Sequence, residues 1–237
     1  MKKQKKICTN MRKTTPNCIY CSQQPGSNPD HVPPKSYFEP PRPSNLITVP
    51  CCRPCNKGFT KDDDYLRTAL SVRDDIVRDP RRLHLQNWRD RSWARSESVP
   101  LRRRILQQTF RTNLKMPSGL IIPEQHAFTL ETDRVRRVLT RYTKALFYHH
   151  KGFPLPLDAQ VVADVSFESN AGIQDLSPQF LSGKGWWVLG KDEFRYSWNS
   201  AEDEPTTTIW LFVFFNSVPF FTMTMPSSPP ESYGLTR

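Results

Sequence analysis

Two short cysteine pairs constrain this chain more than any other feature. Cys18-Ile-Tyr-Cys21 is one C-x-x-C pair and Cys52-Arg-Pro-Cys55 is the other. Two thiolate pairs at this spacing are the usual way of closing a tetrahedral zinc site. The segment they bracket is dense in proline, cysteine and asparagine and has little apolar mass, so it needs a metal to fold. Cys51 could stand in for Cys52, but only Cys52 has the two-residue spacing to Cys55. Cys8 and Cys51 read as spare thiols.

All six cysteines lie within the first 55 residues. A disulfide-stapled secreted chain more often spreads its cysteines and opens with a signal peptide. Met1-Lys2-Lys3-Gln4-Lys5-Lys6 has the charge of such a leader, but no apolar stretch follows it. The most apolar run, Ile209 to Phe215, is far too short to span a bilayer. The expectation is a cytoplasmic, reducing location, no membrane partner, and thiols used for metal.

The net charge of +11 is unevenly spread. Residues 1–120 hold 24 Lys and Arg against 10 Asp and Glu, whereas residues 121–237 hold 10 against 13. A basic half joined to a nearly neutral half points to contact with a polyanion through one part only. Nucleic acid is the first candidate, because Lys and Arg contacts to phosphate supply most non-specific affinity.

Residues 1–17 read as a basic flexible arm and 18–70 as the metal-stapled module. Leu46-Ile47-Thr48-Val49 is a β-prone piece within that module. From Thr60, a good N-cap, the pattern turns helical. Asp62, Asp63 and Asp64 suit the first turn, and Tyr65, Leu66, Ala69 and Leu70 share a face. Asp79-Pro80 is expected to end that helix. Residues 71–120 read as a basic helical region, with Trp88 and Trp93 among arginines and a break near Met116–Gly119.

Residues 121–225 read as an α+β region whose role is not legible. Val135, Val138, Leu139, Tyr142, Leu146 and His149 fall on one helical stripe that should stop at Lys151-Gly152. Strands are expected over Val161 to Phe167, Gly185 to Leu189, Glu193 to Asn199, Thr207 to Phe215 and Val218 to Thr224. Asn216-Ser217 is the expected turn of the last hairpin. Residues 226–237 read as a loose tail.

Between the cysteine pairs stand Asp30-His31-Val32-Pro33-Pro34-Lys35 and Asn45, and Asn56 directly follows Cys55. Together with the two pairs, these residues resemble the HNH endonuclease superfamily, and more closely its zinc-stapled members such as the phage endonuclease VII group. The likeness covers roughly residues 18–67. It implies an α+β fold built on a zinc-stapled ββα-metal, treble-clef-like module, followed by helices and a C-terminal antiparallel β region. It further implies that His31 activates water, that Asp30 and Asn56 hold a catalytic Mg²⁺ or Mn²⁺, and that Asn45 braces the loop. Cys18, Cys21, Cys52 and Cys55 would be the structural zinc ligands.

The residues support that chemistry without the family. A hard cation on carboxylate and amide oxygens neutralises charge that grows on a phosphodiester under attack. An imidazole with a pKa near 6.5 is poised to take the water's proton near neutrality. Asp30 and His31 are adjacent, so on a regular strand they face opposite ways, and Pro33-Pro34 would have to help bend the backbone. Lys35 is a candidate phosphate contact, as are Arg102, Arg103 and Arg104, with Trp88 or Trp93 stacking on bases. Trp210, Phe212 and Phe214 share a strand face and read as core. The expected substrate is DNA, with RNA as the other polyanion of the same chemistry, and dimerisation is left open. The rival reading is a zinc-knuckle module that binds nucleic acid without turnover.

Overall fold

In a computed structural model, the described residues are 15–115, 118–165 and 185–227. The expected basic arm up to residue 14, Cys8, the end of the strand expected to reach Phe167, and the tail from residue 228 lie outside them. The fold is mixed α+β, with five α-helices and antiparallel sheets among the described residues.

Strands β1 (Asp30–Val32) and β2 (Ile47–Val49) form a short antiparallel hairpin, with Asp30 opposite Val49 and His31 opposite Thr48. Val32, Ile47 and Val49 point inward and anchor it. Helix α1 (Arg53–Ser71) follows at once. It starts seven residues before Thr60, with extended Cys52 as its N-cap and Pro54 in the first turn. Proline is pre-organised for that position and needs no amide partner there. The three aspartates therefore lie mid-helix. The helix ends at Ser71, well short of Asp79, and a short helix α2 (Asp74–Val77) and a 3₁₀ turn at Pro80–Arg82 occupy the interval.

Helices α3 (Leu83–Trp93) and α4 (Val99–Gln107) come next. The chain then forms an antiparallel hairpin of β3 (Thr109–Lys115) and β4 (Ile121–Phe128), where the sequence pattern points to helix and connection. Every residue of β3 is exposed, so no inside–outside alternation marks it as a strand.

Helix α5 (Thr132–Lys151) is the centre of the molecule. Its stripe of Val135, Val138, Leu139, Tyr142 and Leu146 is fully buried against α1, the first hairpin and the large sheet. Gly152 ends it in the left-handed region (φ 80°), where its amide donates to the Tyr148 carbonyl. Truncating Leu139 or Leu146 to Ala in such a core costs about 2–5 kcal/mol.

The large sheet has five antiparallel strands in the order β5 (Gln160–Asp164), β9 (Val218–Met225), β8 (Thr208–Phe214), β7 (Phe194–Ser200), β6 (Trp187–Leu189). Trp210, Phe212 and Phe214 of central β8 are fully buried in the core shared with α5, as their spacing indicates. The β8–β9 turn centres on Phe215 and Asn216, both at positive φ (53° and 58°), one residue earlier than Asn216-Ser217. The Ser217 amide closes it on the Phe214 carbonyl at 3.0 Å. Phe215 tolerates this backbone because its ring is buried, stacked on Tyr37 at 6.5 Å.

Candidate metal centre and adjoining cleft

Cys18 and Cys21 sit on a tight knuckle. The Ser22 amide donates to the Cys18 carbonyl and the Cys18 amide to the Gln24 carbonyl, each at 2.8 Å. Gly26 lets the loop close, since a Cβ there would meet the Cβ of Pro50 at 2.6 Å and the Pro16 carbonyl at 2.9 Å. The Ile19 amide then fastens the knuckle to the Pro50 carbonyl at 3.1 Å. This brings it against the start of α1, where Cys52 is the N-cap and Cys55 lies in the first turn.

The four Sγ atoms lie within 4.8 Å of one another, and Cys21 and Cys52 are 3.8 Å apart. Zinc–sulfur bonds of about 2.3 Å in a tetrahedron give sulfur–sulfur edges of about 3.8 Å, so the quartet fits zinc. Among the described residues, it is the one group of three or more His, Cys, Asp or Glu side chains that converges in this way. Burial pushes the Cys18 thiol up, but hydrogen bonds from the backbone of Cys52, Tyr20 and Cys21 outweigh it and bring it to about 7. Burial and its thiol neighbours push Cys55 the other way. Four crowded sulfurs cannot all ionise without a cation between them, and zinc would supply that charge. Cys51 is buried outside the quartet, its thiol directed to the Cys52 carbonyl at 3.3 Å.

Beside this centre an open cleft of about 440 Å³ is bordered by Asp30, His31, Lys35, Asn56, Thr60 and Asp63, among others. Strand β1 supplies Asp30 and His31. It keeps strict alternation: Asp30 is turned inward and His31 outward, yet both border the same cleft. Asn56 is positioned by the helix start, and its Nδ2 reaches the Pro29 carbonyl at 3.5 Å. That leaves its Oδ1 available to accept a hydrogen bond or a cation. The His31 imidazole is held below its ordinary 6.5, by burial first and then by the charge of Lys35, with Asp30 opposing.

Asp30 is only 6% exposed. The Tyr20 hydroxyl donates to its Oδ2 at 2.6 Å, and Arg141 Nε of α5 lies 3.6 Å from the same oxygen. Arg141 Nη1 also donates to Asp63 Oδ2 at 2.6 Å. The other oxygen of Asp63 is buried and accepts no hydrogen bond from the protein. Burial pushes the Asp63 carboxyl up to about 6 despite the adjacent guanidinium. A Mg²⁺ or Mn²⁺ ion needs only one or two protein carboxylates, its remaining positions going to water and phosphate. Asp30, Asn56 and Asp63 are among the residues that carry oxygen donors at the border of the cleft.

The remaining expected site residues lie elsewhere. Asn45 is exposed and outside the cleft, where its Nδ2 donates to the Val188 carbonyl of β6 at 2.9 Å. Arg102 Nη1 donates to the Trp93 carbonyl at 2.7 Å, and Arg104 is 3.3 Å from Glu131. Arg103 is exposed. Arg67 covers the Trp88 ring at 3.4 Å and Arg89 approaches that of Trp93 at 5.8 Å, so both indoles already have protein partners. Sequence reasoning missed Tyr20, Asp63 and Arg141. Tyr20 lies inside the first cysteine pair and had a visible address; Arg141, remote in sequence, had none.

No family model, curated protein or solved structure matches the chain, so the reading of this site rests on its own residues. Among the described residues, no helix is long and apolar enough to cross a membrane.

Proposed function

We propose that this chain is a metal-dependent endonuclease of the HNH type, hydrolysing phosphodiester bonds in DNA. The observation that carries the reading is that Asp30, His31, Lys35 and Asn56 border one cleft beside the four-cysteine cluster. In this reading the hairpin β1–β2 and helix α1 are the ββα-metal module, with zinc on Cys18, Cys21, Cys52 and Cys55 holding the hairpin to the helix.

A divalent cation bound there would neutralise charge growing on the phosphate and the leaving oxygen. Asp30 and Asn56 would hold it. His31, whose imidazole is held below its ordinary 6.5, accepts a proton from the attacking water. The water oxygen bonds to phosphorus as the bond from phosphorus to the leaving sugar oxygen breaks, and that oxygen takes a proton from solvent. Lys35, exposed at the rim, faces the substrate phosphate. A positioned base of this kind contributes about 10²–10⁴-fold.

One observation favours a different class. Asp30 already faces a buried arginine, as a carboxylate in a purely structural network would. The chain would then be a zinc-stapled module that binds nucleic acid without cutting it. Supercoiled plasmid incubated with wild type or His31→Ala, in Mg²⁺ or Mn²⁺ with an EDTA control, separates the two. Nicked or linear product from wild type alone supports the endonuclease. Retained binding with no product on plasmid, branched DNA or RNA supports the binding module.

A further inference from the structure

The wall behind Asp30 is built from three separate parts of the chain. Tyr20 comes from the first cysteine pair, Phe59 from α1 and Arg141 from α5. The Tyr20 ring meets that of Phe59 edge-on at 4.9 Å, and the Arg141 guanidinium lies over the Phe59 ring at 4.8 Å. Arg141 is 3% exposed and spans Asp30 and Asp63.

Both groups approach the same oxygen of Asp30. Tyr20 donates to Oδ2 at 2.6 Å and Arg141 Nε stands 3.6 Å from it. Two partners on one oxygen restrict the turning of the carboxylate, and Oδ1 takes part in neither contact. We propose that Tyr20 and Arg141 are positioning residues for Asp30, fixing it to bind a divalent cation through Oδ1. The inference rests on the endonuclease reading and adds two consequences to it. Helix α5 supports Asp30 and Asp63 from behind the cleft, so the placing of these carboxylates does not rest on residues 18–70 alone. Tyr20 also lies between two zinc ligands, so zinc occupancy and affinity for the second cation are coupled.

Partners that orient a ligating carboxylate typically change metal affinity by about 10–100-fold when removed. The test is binding of Mn²⁺ alone, followed by the electron-paramagnetic signal of the free ion, to the full zinc-loaded chain. Wild type, Asp30→Asn, Tyr20→Phe and Arg141→Lys are compared, with thermal unfolding of each and plasmid cleavage in parallel. Tyr20→Phe keeps the ring against Phe59, so its melting temperature should stay near that of wild type. Its Mn²⁺ affinity should fall about 10–100-fold. Arg141→Lys keeps the charge but loses the guanidinium reach to both carboxylates, and should weaken Mn²⁺ binding in the same direction.

Wild-type affinity in a folded Tyr20→Phe protein that still cleaves DNA overturns the positioning role and leaves the endonuclease standing. Wild type that neither cleaves nor binds Mn²⁺ in an Asp30-dependent way overturns the endonuclease and the positioning role together.

Discussion

Asp62 Oδ1 accepts a hydrogen bond from Arg134 Nε at 2.7 Å, joining the middle of α1 to the first turns of α5. Its second oxygen takes Arg137 Nε at the same distance. Burial alone would raise the Asp62 carboxyl, but the two arginines hold it below its ordinary 3.8. Its stabilising effect is therefore present above about pH 3.8 and is lost as the pH falls through the lower folded-state value. Asp62→Asn should cost about 1.5–3 kcal/mol at pH 7, the range for hydrogen bonds to a charged group. The difference in melting temperature between the two proteins should be constant from about pH 5 to 7 and shrink in stronger acid. A difference that widens with acid would contradict the assignment.

The two adjacent cysteines offer a sharper test of the metal centre than removal of any one ligand. Cys52 belongs to the quartet and caps α1, whereas the Cys51 thiol is directed at a carbonyl. Zinc released on thiol modification should amount to one ion per chain for wild type and Cys51→Ser. Cys52→Ser should lose zinc on dialysis. Because a structural site of this kind is coupled to folding, chelation should strip hydrogen-exchange protection from β1, β2 and the first turn of α1. Strands β7 to β9 should keep theirs. Equal zinc loss from the two variants would reverse the roles of the two thiols.

The parts of the fold legible in the sequence are those with strong period or chemistry. Helix α5 announces itself by apolar spacing, and its glycine stop falls where expected. The cysteine pairs state their own geometry. Hairpin β3–β4 was not legible, because a strand exposed on both faces has no alternation to read. The start of α1 was masked by a plausible rival cap at Thr60, when Pro54 was the better signal. The buried support behind Asp30 and Asp63 is least legible. Arg141 meets Asp63 from 78 residues away, and no local pattern distinguishes it from the arginines on the solvated side of the same helix.

The pH dependence of cleavage should report the environment of His31. Burial and the charge of Lys35 lower its imidazole below 6.5. The acid limb of the rate profile should therefore have its midpoint below that of a free histidine. Lys35→Ala removes one of the two leading causes, so the midpoint should move upward towards 6.5. The same variant should raise KM if Lys35 contacts a substrate phosphate. A midpoint that moves down in Lys35→Ala would be incompatible with His31 as the base.

The three consecutive arginines of α4 make separable contributions. Arg102 is committed to the Trp93 carbonyl at 2.7 Å, where it ties α4 to the end of α3. Arg104 faces Glu131, just before α5, at 3.3 Å, and Arg103 is exposed. Each duplex phosphate neutralised by a basic side chain adds about 0.9 to the steepness of log affinity against log salt. Arg103→Ala should make the slope shallower by that amount, weaken binding uniformly across DNA sequences, and leave the melting temperature unchanged. Arg102→Ala should lower the melting temperature and keep the salt slope near that of wild type. If Arg102→Ala changes the slope while Arg103→Ala does not, DNA does not approach along the exposed face of α4.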